Sequence, residues 1–309
     1  MSKFINIAAV HFEINAECGE SESQRKVLEQ FKYATDYLDG SGLDLLITCE
    51  GMEAIGQTIE QAESPDNPGP MYNAYRDFAM RNKCTVAGSI KLQDEGKVYN
   101  ALAFIGPEGE FLGDYRKTYL TKKEFDMGIS PGLGAVVVDT PAGCIGSVIC
   151  FDLNYTELQH EYHNLKPDIL AFSSMFHGEH LQSNWAYQCR SFMASACKDN
   201  SSDIVDPMGR VIASVNYHGR IVRSRINLDR FVMHQDNNVD RFADIQRKYK
   251  DEVKIDYNPK LGTAVLYSES PKRSAAAIAD EFGLVALDDY LQYSKKYKEN
   301  IIANKRKNL

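Results

Sequence analysis

Short runs of Ile, Val, Leu and Ala recur along most of the chain, separated by polar segments that contain Gly and Pro. Each run has the length and composition of a buried β-strand. The predicted strands cover residues 4–12, 43–49, 84–90, 98–105, 135–139, 144–150 and 168–174.

A second pattern, with apolar residues three and four positions apart, lies between some of these strands and is typical of amphipathic helices. It predicts helices over residues 22–38, 70–82, 155–165 and 182–198. Other neighbouring strands are joined only by tight turn signals, such as Asp94-Glu95-Gly96. Helical and tight connections together predict mixed sheets with helices packed outside them, and the wholly apolar strands predict sheets covered on both faces. The sequence therefore favours a layered α/β fold.

The pattern changes after about residue 229. A polar stretch over residues 229–250 predicts a helix, residues 263–267 predict a strand, and two further helices are expected near 270–282 and 287–299. We therefore divide the chain into a main domain over residues 1–230 and a C-terminal extension over residues 231–309. The extension is expected to pack on the core or on a partner subunit, because some 80 residues make only a marginal core by themselves.

Composition narrows the class of partner. The apolar fraction of 43% and the charged fraction of 25% are ordinary for a folded globular protein. The formal charge of −8 disfavours nucleic acid and anionic membranes, since both repel an acidic surface. We expect a small-molecule partner, and interpret the basic residues of 295–309 as a solvated tail.

The N-terminal residues lack a long apolar region followed by a small-residue cleavage site, and no stretch is apolar enough to span a bilayer, so a cytoplasmic location is expected.

The number of cysteines is odd and there is no CxxC pair, which favours free thiols over disulfides or a zinc site. The seven are Cys18, Cys49, Cys84, Cys144, Cys150, Cys189 and Cys197.

Three chemically useful residues stand at the ends of apolar, strand-like runs: Glu50, Lys117 and Cys150. Loops at strand ends are where α/β proteins build their sites, because the sheet holds such side chains rigidly. A thiol, a carboxylate and an ammonium form a complete set for nucleophilic catalysis. Each alone is more often structural, so the hypothesis depends on all three meeting.

The residues after Cys150 predict a helix that Asn154 or Thr156 caps, which would put the sulfur near a helix N-terminus. The helix dipole and a nearby Lys117 ammonium would both favour the thiolate. Glu50 is the expected base for the thiol proton, and later the acid for the leaving amine.

The segments around these three residues resemble the nitrilase superfamily of carbon–nitrogen hydrolases. The resemblance rests on ITCEGM (47–52), DYRKTYL (114–120) and GSVICFDLNYTE (146–157), in the family's order and spacing. Weaker likeness extends over roughly residues 4–230, and the C-terminal extension lies outside it.

This resemblance implies a four-layer αββα sandwich of two mixed sheets and a Glu-Lys-Cys triad formed by Glu50, Lys117 and Cys150. It also suggests that Glu124 is a second glutamate beside the site, and that Lys117 and the backbone N–H of Phe151 stabilise the oxyanion of a thioester-forming reaction. No metal or organic cofactor is required. Self-association as a dimer or larger homo-oligomer is expected as well.

The chain also departs from the family pattern. Asn154 stands where many members have Arg, and the usual Arg-Ala-x-Glu-Asn becomes residues 190–194 (RSFMA). A loop that normally precedes the Asp-Pro-x-Gly turn is expected to be absent between Asn200 and Asp203. The pair Phe151-Asp152 is typical of amidases, so hydrolysis of a small non-peptide, linear amide is the favoured function. Nitrile or N-carbamoyl hydrolysis and acyl transfer to an amine stay open.

Other classes of function compete. Histidines at 160 and 163, and at 177 and 180, could hold a metal, but neither pair has the HExxH spacing, and a core or solvated role is the simpler interpretation. A Cys-His protease has no local signature here. A non-catalytic binding protein that keeps the fold is the main alternative from a different class.

Overall fold

The computed structural model describes residues 3–11, 20–51, 59–198, 202–215 and 220–307. Contacts divide the chain into two units, Ile5–Ile226, and Asn227–Leu309 with Met1–Phe4. This division lies close to the predicted boundary after residue 230. The packing predicted for the C-terminal extension stays a prediction.

The first unit contains two six-stranded sheets, and the first sheet has the order β12-β1-β2-β3-β4-β5. Strands β1 to β3 are parallel, whereas β3, β4 and β5 are antiparallel and joined by short turns. The elements of this half are β1 (Phe4–Val10), α1 (Glu20–Asp36), β2 (Leu45–Thr48), α2 (Pro70–Asn82), β3 (Thr85–Asp94), β4 (Lys97–Ile105), β5 (Phe111–Arg116) and, later in the chain, β12 (Ile221–Asn227).

The second sheet has the order β11-β10-β9-β8-β7-β6, with a parallel centre formed by β7, β8 and β9. The parallel strands are linked through helices, as such connections require. Its elements are α3 (Lys122–Asp126), β6 (Val137–Thr140), β7 (Gly143–Ile149), α4 (Thr156–Leu165), β8 (Ile169–Ser174), α5 (His180–Cys189), β9 (Phe192–Cys197), β10 (Asp203–Val205) and β11 (Val211–Ser214).

The two sheets face each other through β2, β8 and β9, and Ser173 Oγ donates a hydrogen bond of 2.8 Å to the Thr48 carbonyl across this interface. Helix α2 packs outside β3 and β4, and α5 packs outside β9 and against α4. Every residue of β2 and β8 is buried, because both faces of these strands are covered. The αββα sandwich is confirmed.

One predicted helix is half wrong. Residues 182–198 form α5 only as far as Cys189; Arg190 then adopts a left-handed conformation, with φ of 57°, and β9 follows. The run FMASAC consists of small or apolar residues that suit a buried helix and a buried strand equally. Pairing with β8 and β10 decides in favour of the strand.

The unit that contains the C-terminal residues has its own three-stranded antiparallel sheet, of order β13-β15-β14. Its core contains Met233, Ile245, Leu266 and Ile278. The helix predicted over 229–250 is therefore partly wrong, since its first residues form β13. The elements are β13 (Arg230–His234), α6 (Phe242–Tyr249), β14 (Val253–Asn258), β15 (Thr263–Ser268), α7 (Ala275–Glu281) and α8 (Leu287–Lys307).

None of the helices in the described ranges is both long and apolar enough to cross a membrane. In α8, which has the length, charged residues are too frequent.

Candidate active site

The fold brings Glu50, Lys117 and Cys150 together. Glu50 follows β2, Lys117 comes directly after β5, and Cys150 directly after β7. Glu50 and Lys117 are 6% and 2% exposed, so both charges lie in the interior, while Cys150 is partly accessible. Buried charges are tolerated only when they are paired and hydrogen-bonded.

The Lys117 ammonium lies between two carboxylates. Its Nζ donates to Glu50 Oε1 at 2.8 Å, and to Glu124 Oε1 and Oε2 at 2.9 and 3.0 Å. Burial acts to lower the pKa of Lys117, but the charge of Glu50 and its hydrogen bond outweigh burial and raise that pKa above its ordinary value. The ammonium therefore keeps its proton.

Glu124 is held by the first turn of α3. Its Oε2 accepts hydrogen bonds from the Thr121 backbone N–H at 2.8 Å and from the Thr121 hydroxyl at 2.9 Å, in a capping box. Burial acts to raise the pKa of Glu124, yet Lys117, Asn100 and Thr121 together lower it. Glu124 is thus a second, fixed negative charge beside the ammonium.

Asn100 joins the two glutamates. Its Nδ2 donates to Glu50 Oε1 at 2.9 Å and to Glu124 Oε1 at 2.8 Å. Sequence reasoning missed this residue, although an amide inside the apolar run 98–105 is the kind of signal that indicates a buried polar contact. It also missed Met175, whose backbone N–H donates to Glu50 Oε2 at 3.2 Å. A backbone contact of this kind does not depend on the residue type, so the sequence gives no indication of it.

The Cys150 thiol interacts with the Glu50 carboxylate and with the Met175 backbone N–H. Burial, followed by the negative charge of Glu50, raises the pKa of Cys150 to about 12, while Lys117 and Met175 act in the opposite direction. Lys117 thus acts in the expected direction, but burial and Glu50 outweigh it. The sulfur carries its proton at neutral pH and has a carboxylate beside it to receive that proton.

Cys150 opens a turn of 3-10 helix, Cys150–Asn154, with a left-handed φ of 47°. Such a conformation costs an L-residue roughly 1–2 kcal/mol. The predicted caps were also wrong: Tyr155 is the N-cap of α4, and the Asn154 side chain instead donates to the Phe151 carbonyl at 3.0 Å. The sulfur lies at a single turn and not at the N-terminus of α4.

Aromatic rings lie beside this turn. Phe151 packs edge-on against Tyr155 with ring centroids 5.5 Å apart, and Tyr155 stacks on Tyr119 at 3.6 Å. The role predicted for the Phe151 backbone N–H stays a prediction. Residues 199–201 lie outside the described ranges, so the predicted absence of a loop between Asn200 and Asp203 stays a prediction.

Two of the histidines considered as metal ligands have other partners. His163 contacts the Gln188 carbonyl at 2.7 Å, and His177 Nε2 lies 3.0 Å from Asp203 Oδ2. Within the described part of the chain, no group of three or more His, Cys, Asp or Glu side chains has the arrangement of a metal site. The metal alternative therefore has no support in these residues.

Comparison with known proteins gives a family match. The carbon-nitrogen hydrolase family model matches residues 32–231. The omega-amidase NIT2 of Homo sapiens is 31% identical over an alignment of 172 residues, and the match covers 46% of this chain and 61% of that protein. Omega-amidase NIT2-B of Xenopus laevis is 30% identical over the same shares. The chain thus spans less than two thirds of the length of these relatives.

Solved structures with the same fold are more distant in sequence. Nit3 of Saccharomyces cerevisiae, a member of branch 10 of the nitrilase superfamily, has a TM-score of 0.62 at 18% identity and covers 73% of this chain and 90% of its own. A variant of the amidase from Nesterenkonia sp. AN1 has a TM-score of 0.60 at 16% identity, over 80% and 97%. In that variant the active-site cysteine carries the acetamide moiety of fluoroacetamide.

Proposed function

This chain belongs to the carbon–nitrogen hydrolase family, and on that premise we propose that it hydrolyses the carbon–nitrogen bond of a small, linear, non-peptide amide. The observation that carries the proposal is the convergence of three side chains at the ends of β2, β5 and β7. The Cys150 thiol interacts with the Glu50 carboxylate, and Glu50 Oε1 lies 2.8 Å from Lys117 Nζ. A nucleophile, a base and a cation are thus in reach of one carbonyl group, which is what acyl transfer to sulfur requires.

In the first half-reaction Glu50 takes the thiol proton while the Cys150 sulfur attacks the amide carbon. The carbon–sulfur bond forms and the carbonyl electrons move to oxygen, where Lys117 and the Phe151 backbone N–H stabilise the negative charge. The oxyanion then collapses and the carbon–nitrogen bond breaks. Glu50 returns its proton to the nitrogen, so that an amine or ammonia leaves and a thioester remains.

In the second half-reaction Glu50 takes a proton from water as the water oxygen attacks the thioester carbon. The carbon–sulfur bond breaks, the acid is released, and the proton returns to the Cys150 sulfur. The scheme uses only side chains and water, and it divides one difficult hydrolysis into two easier steps.

The raised pKa of Cys150 favours one way of activating the sulfur over another. Forming a free thiolate at pH 7 from a thiol of pKa about 12 would cost roughly 7 kcal/mol before any bond forms. Proton transfer to Glu50 during the attack avoids that separate cost, because the proton leaves only as the sulfur becomes bonded to carbon. Glu50 is therefore required when an amide acylates the sulfur, as well as in the second step.

The substrate class rests on two further supports. The matched relatives are named omega-amidases, which favours a terminal carboxamide for this chain too. The pair Phe151-Asp152 after the nucleophile is typical of the family's amidases.

We also propose that the protein forms a homo-oligomer, and that its partner is a small molecule and neither nucleic acid nor a membrane. Light scattering of the purified protein measures the oligomeric state directly.

The test is turnover of a matched panel, with release of ammonia as the readout. We would supply one acyl group as its primary amide, as its nitrile and as an N-carbamoyl compound. Hydroxylamine added in parallel would detect acyl transfer through formation of a hydroxamate. The amide should be turned over fastest, Cys150→Ala should abolish the reaction, and Cys189→Ala, at a buried thiol outside the site, should retain it. Turnover that persists in Cys150→Ala, or none for the wild type, would reject the proposal in favour of another nucleophile or a binding protein.

A further inference from the structure

A buried carboxylate two residues after the nucleophile is not used in the reaction proposed above. Asp152 is 0% exposed and accepts three hydrogen bonds. Its Oδ1 accepts from the Tyr119 backbone N–H at 2.7 Å, and its Oδ2 accepts from the Tyr115 hydroxyl at 2.7 Å and from the Ile149 backbone N–H at 3.1 Å. Every one of these donors belongs to a segment that carries a residue of the site.

The donors come from both sides of the site. Tyr115 and Tyr119 stand two residues before and two residues after Lys117, while Ile149 immediately precedes Cys150. Asp152 therefore ties the segment that carries the ammonium to the turn that carries the sulfur. The two segments come from different sheets, since Tyr115 belongs to β5 and Ile149 to β7.

We propose that Asp152 is a positioning residue of this site, and that its carboxylate sets the distance between the Lys117 ammonium and the Cys150 sulfur. The inference rests on the proposed function, because only a reaction that needs both groups at one carbonyl gives this spacing a purpose. Asp152 acts through the backbone of its neighbours and does not itself touch the reacting atoms.

The local backbone supports this role. The hydrogen bond from the Ile149 N–H to Asp152 spans Cys150, which has the unfavourable left-handed φ of 47°. A strained residue keeps such a conformation only when its surroundings fix it. A buried carboxylate is costly to desolvate, so an apolar residue would be the simpler choice if packing alone were needed.

The substitution Asp152→Asn tests the inference. It keeps the size of the side chain, but it turns one acceptor oxygen into a donor that faces the Tyr119 N–H or the Ile149 N–H. Misplacement of catalytic groups by about 1 Å can cost roughly 10²-fold in rate. We expect kcat to fall by about 10²-fold, with KM changed by less than about threefold.

Asp206→Asn is the matched control. Asp206 is also a buried aspartate, 2% exposed, and it holds a backbone turn through the N–H groups of Met208 at 2.9 Å and Arg210 at 3.0 Å, away from the site. Both variants should lower the melting temperature, but Asp206→Asn should keep kcat within about threefold of the wild type. Equal kcat in the two variants, after correction for the folded fraction, would overturn the inference.

If Asp152→Asn does not fold, Tyr115→Phe decides, because it removes one donor from the carboxylate and leaves the ring in place. We expect it to lower kcat by about three- to tenfold at unchanged KM, and an unchanged kcat would overturn the inference.

If the wild type turns over no amide, the proposed function fails separately. The rate of iodoacetamide alkylation of Cys150 then measures positioning. It should be at least about fivefold slower than in the wild type in Asp152→Asn, or in Tyr115→Phe if only that variant folds. A rate equal to that of the wild type counts against Asp152.

Discussion

Replacing Lys117 by methionine removes an ammonium that pairs with the buried Glu50 carboxylate and the partly buried Glu124 carboxylate. Lys117 Nζ lies 2.8 Å from Glu50 Oε1 and 2.9 Å from Glu124 Oε1. At 2.8 Å the gross attraction of one such pair is about 6 kcal/mol for an effective dielectric constant of about 20. Most of this attraction offsets desolvation, but removing one partner of a buried pair still costs about 3–5 kcal/mol, because the other charge stays buried.

We therefore expect Lys117→Met to lower the free energy of unfolding by about 3–5 kcal/mol, and the melting temperature by roughly 6–20 °C. Activity should fall by at least about 10²-fold to 10³-fold, the usual loss when one donor to an oxyanion is removed. Thermal unfolding followed by circular dichroism, and kcat for the best amide, measure the two effects.

Two further variants make this prediction sharp. Lys122→Met removes a lysine that is 87% exposed and pairs with Asp126, so it should cost less than about 1 kcal/mol. Adding Glu124→Gln to Lys117→Met removes one uncompensated charge and should recover about 1–2 kcal/mol of stability without restoring activity. A Lys117→Met protein as stable as Lys122→Met, or a double variant no more stable than Lys117→Met, would refute the electrostatic reasoning.

Three other outcomes are expected. Asn100→Leu should lower kcat about tenfold and stability by about 1–3 kcal/mol, because Glu50 and Glu124 lose a shared donor; wild-type kcat and melting temperature would contradict this. Glu50→Gln should move the midpoint of Cys150 alkylation to lower pH, because Glu50 raises the pKa of that thiol, and an unchanged midpoint counts against the contact. Burial raises the pKa of Asp152 from 3.8 to about 6, so the folded state binds this proton more tightly than the unfolded state. The stability that comes from this proton is fully present below pH 3.8 and is lost as the pH rises through 6. Denaturant unfolding should find this pH dependence weaker in Asp152→Asn than in the wild type, whereas parallel profiles would argue against the raised pKa.

The position of the site was predictable because its signals are local. One apolar run ends directly before Cys150 and another ends at Cys49, just before Glu50, whereas the strand-like run FLGDYR before Lys117 also contains Asp114 and Arg116. Covered sheets hold their strand ends close to one another, so these three side chains could be expected to meet. Glu124 was identified by resemblance alone, and its contacts to Lys117 depend on the capping box at Thr121.

The remaining features depend on tertiary structure. The 3.6-residue pattern could not separate α5 from β9, since a run of Phe, Met, Ala, Ser and Cys suits either element until a neighbouring strand pairs with it. The protonation of Cys150 could not be predicted either, because it depends on how far burial and Glu50 outweigh Lys117. Backbone donors such as the Met175 N–H could not be predicted, because almost every residue type has a backbone N–H.

The central claim is that Cys150 carries the acyl group during turnover. Mass spectrometry of Glu50→Gln, after incubation with the p-nitrophenyl ester of the acid whose amide is turned over fastest, tests this claim most directly. The substitution removes the base for the water step, and the activated ester allows acylation without it. We expect a mass increase of one acyl group on the peptide that contains Cys150, and none in Cys150→Ala. An unmodified Cys150, or an acyl group spread over the other thiols, would contradict the account.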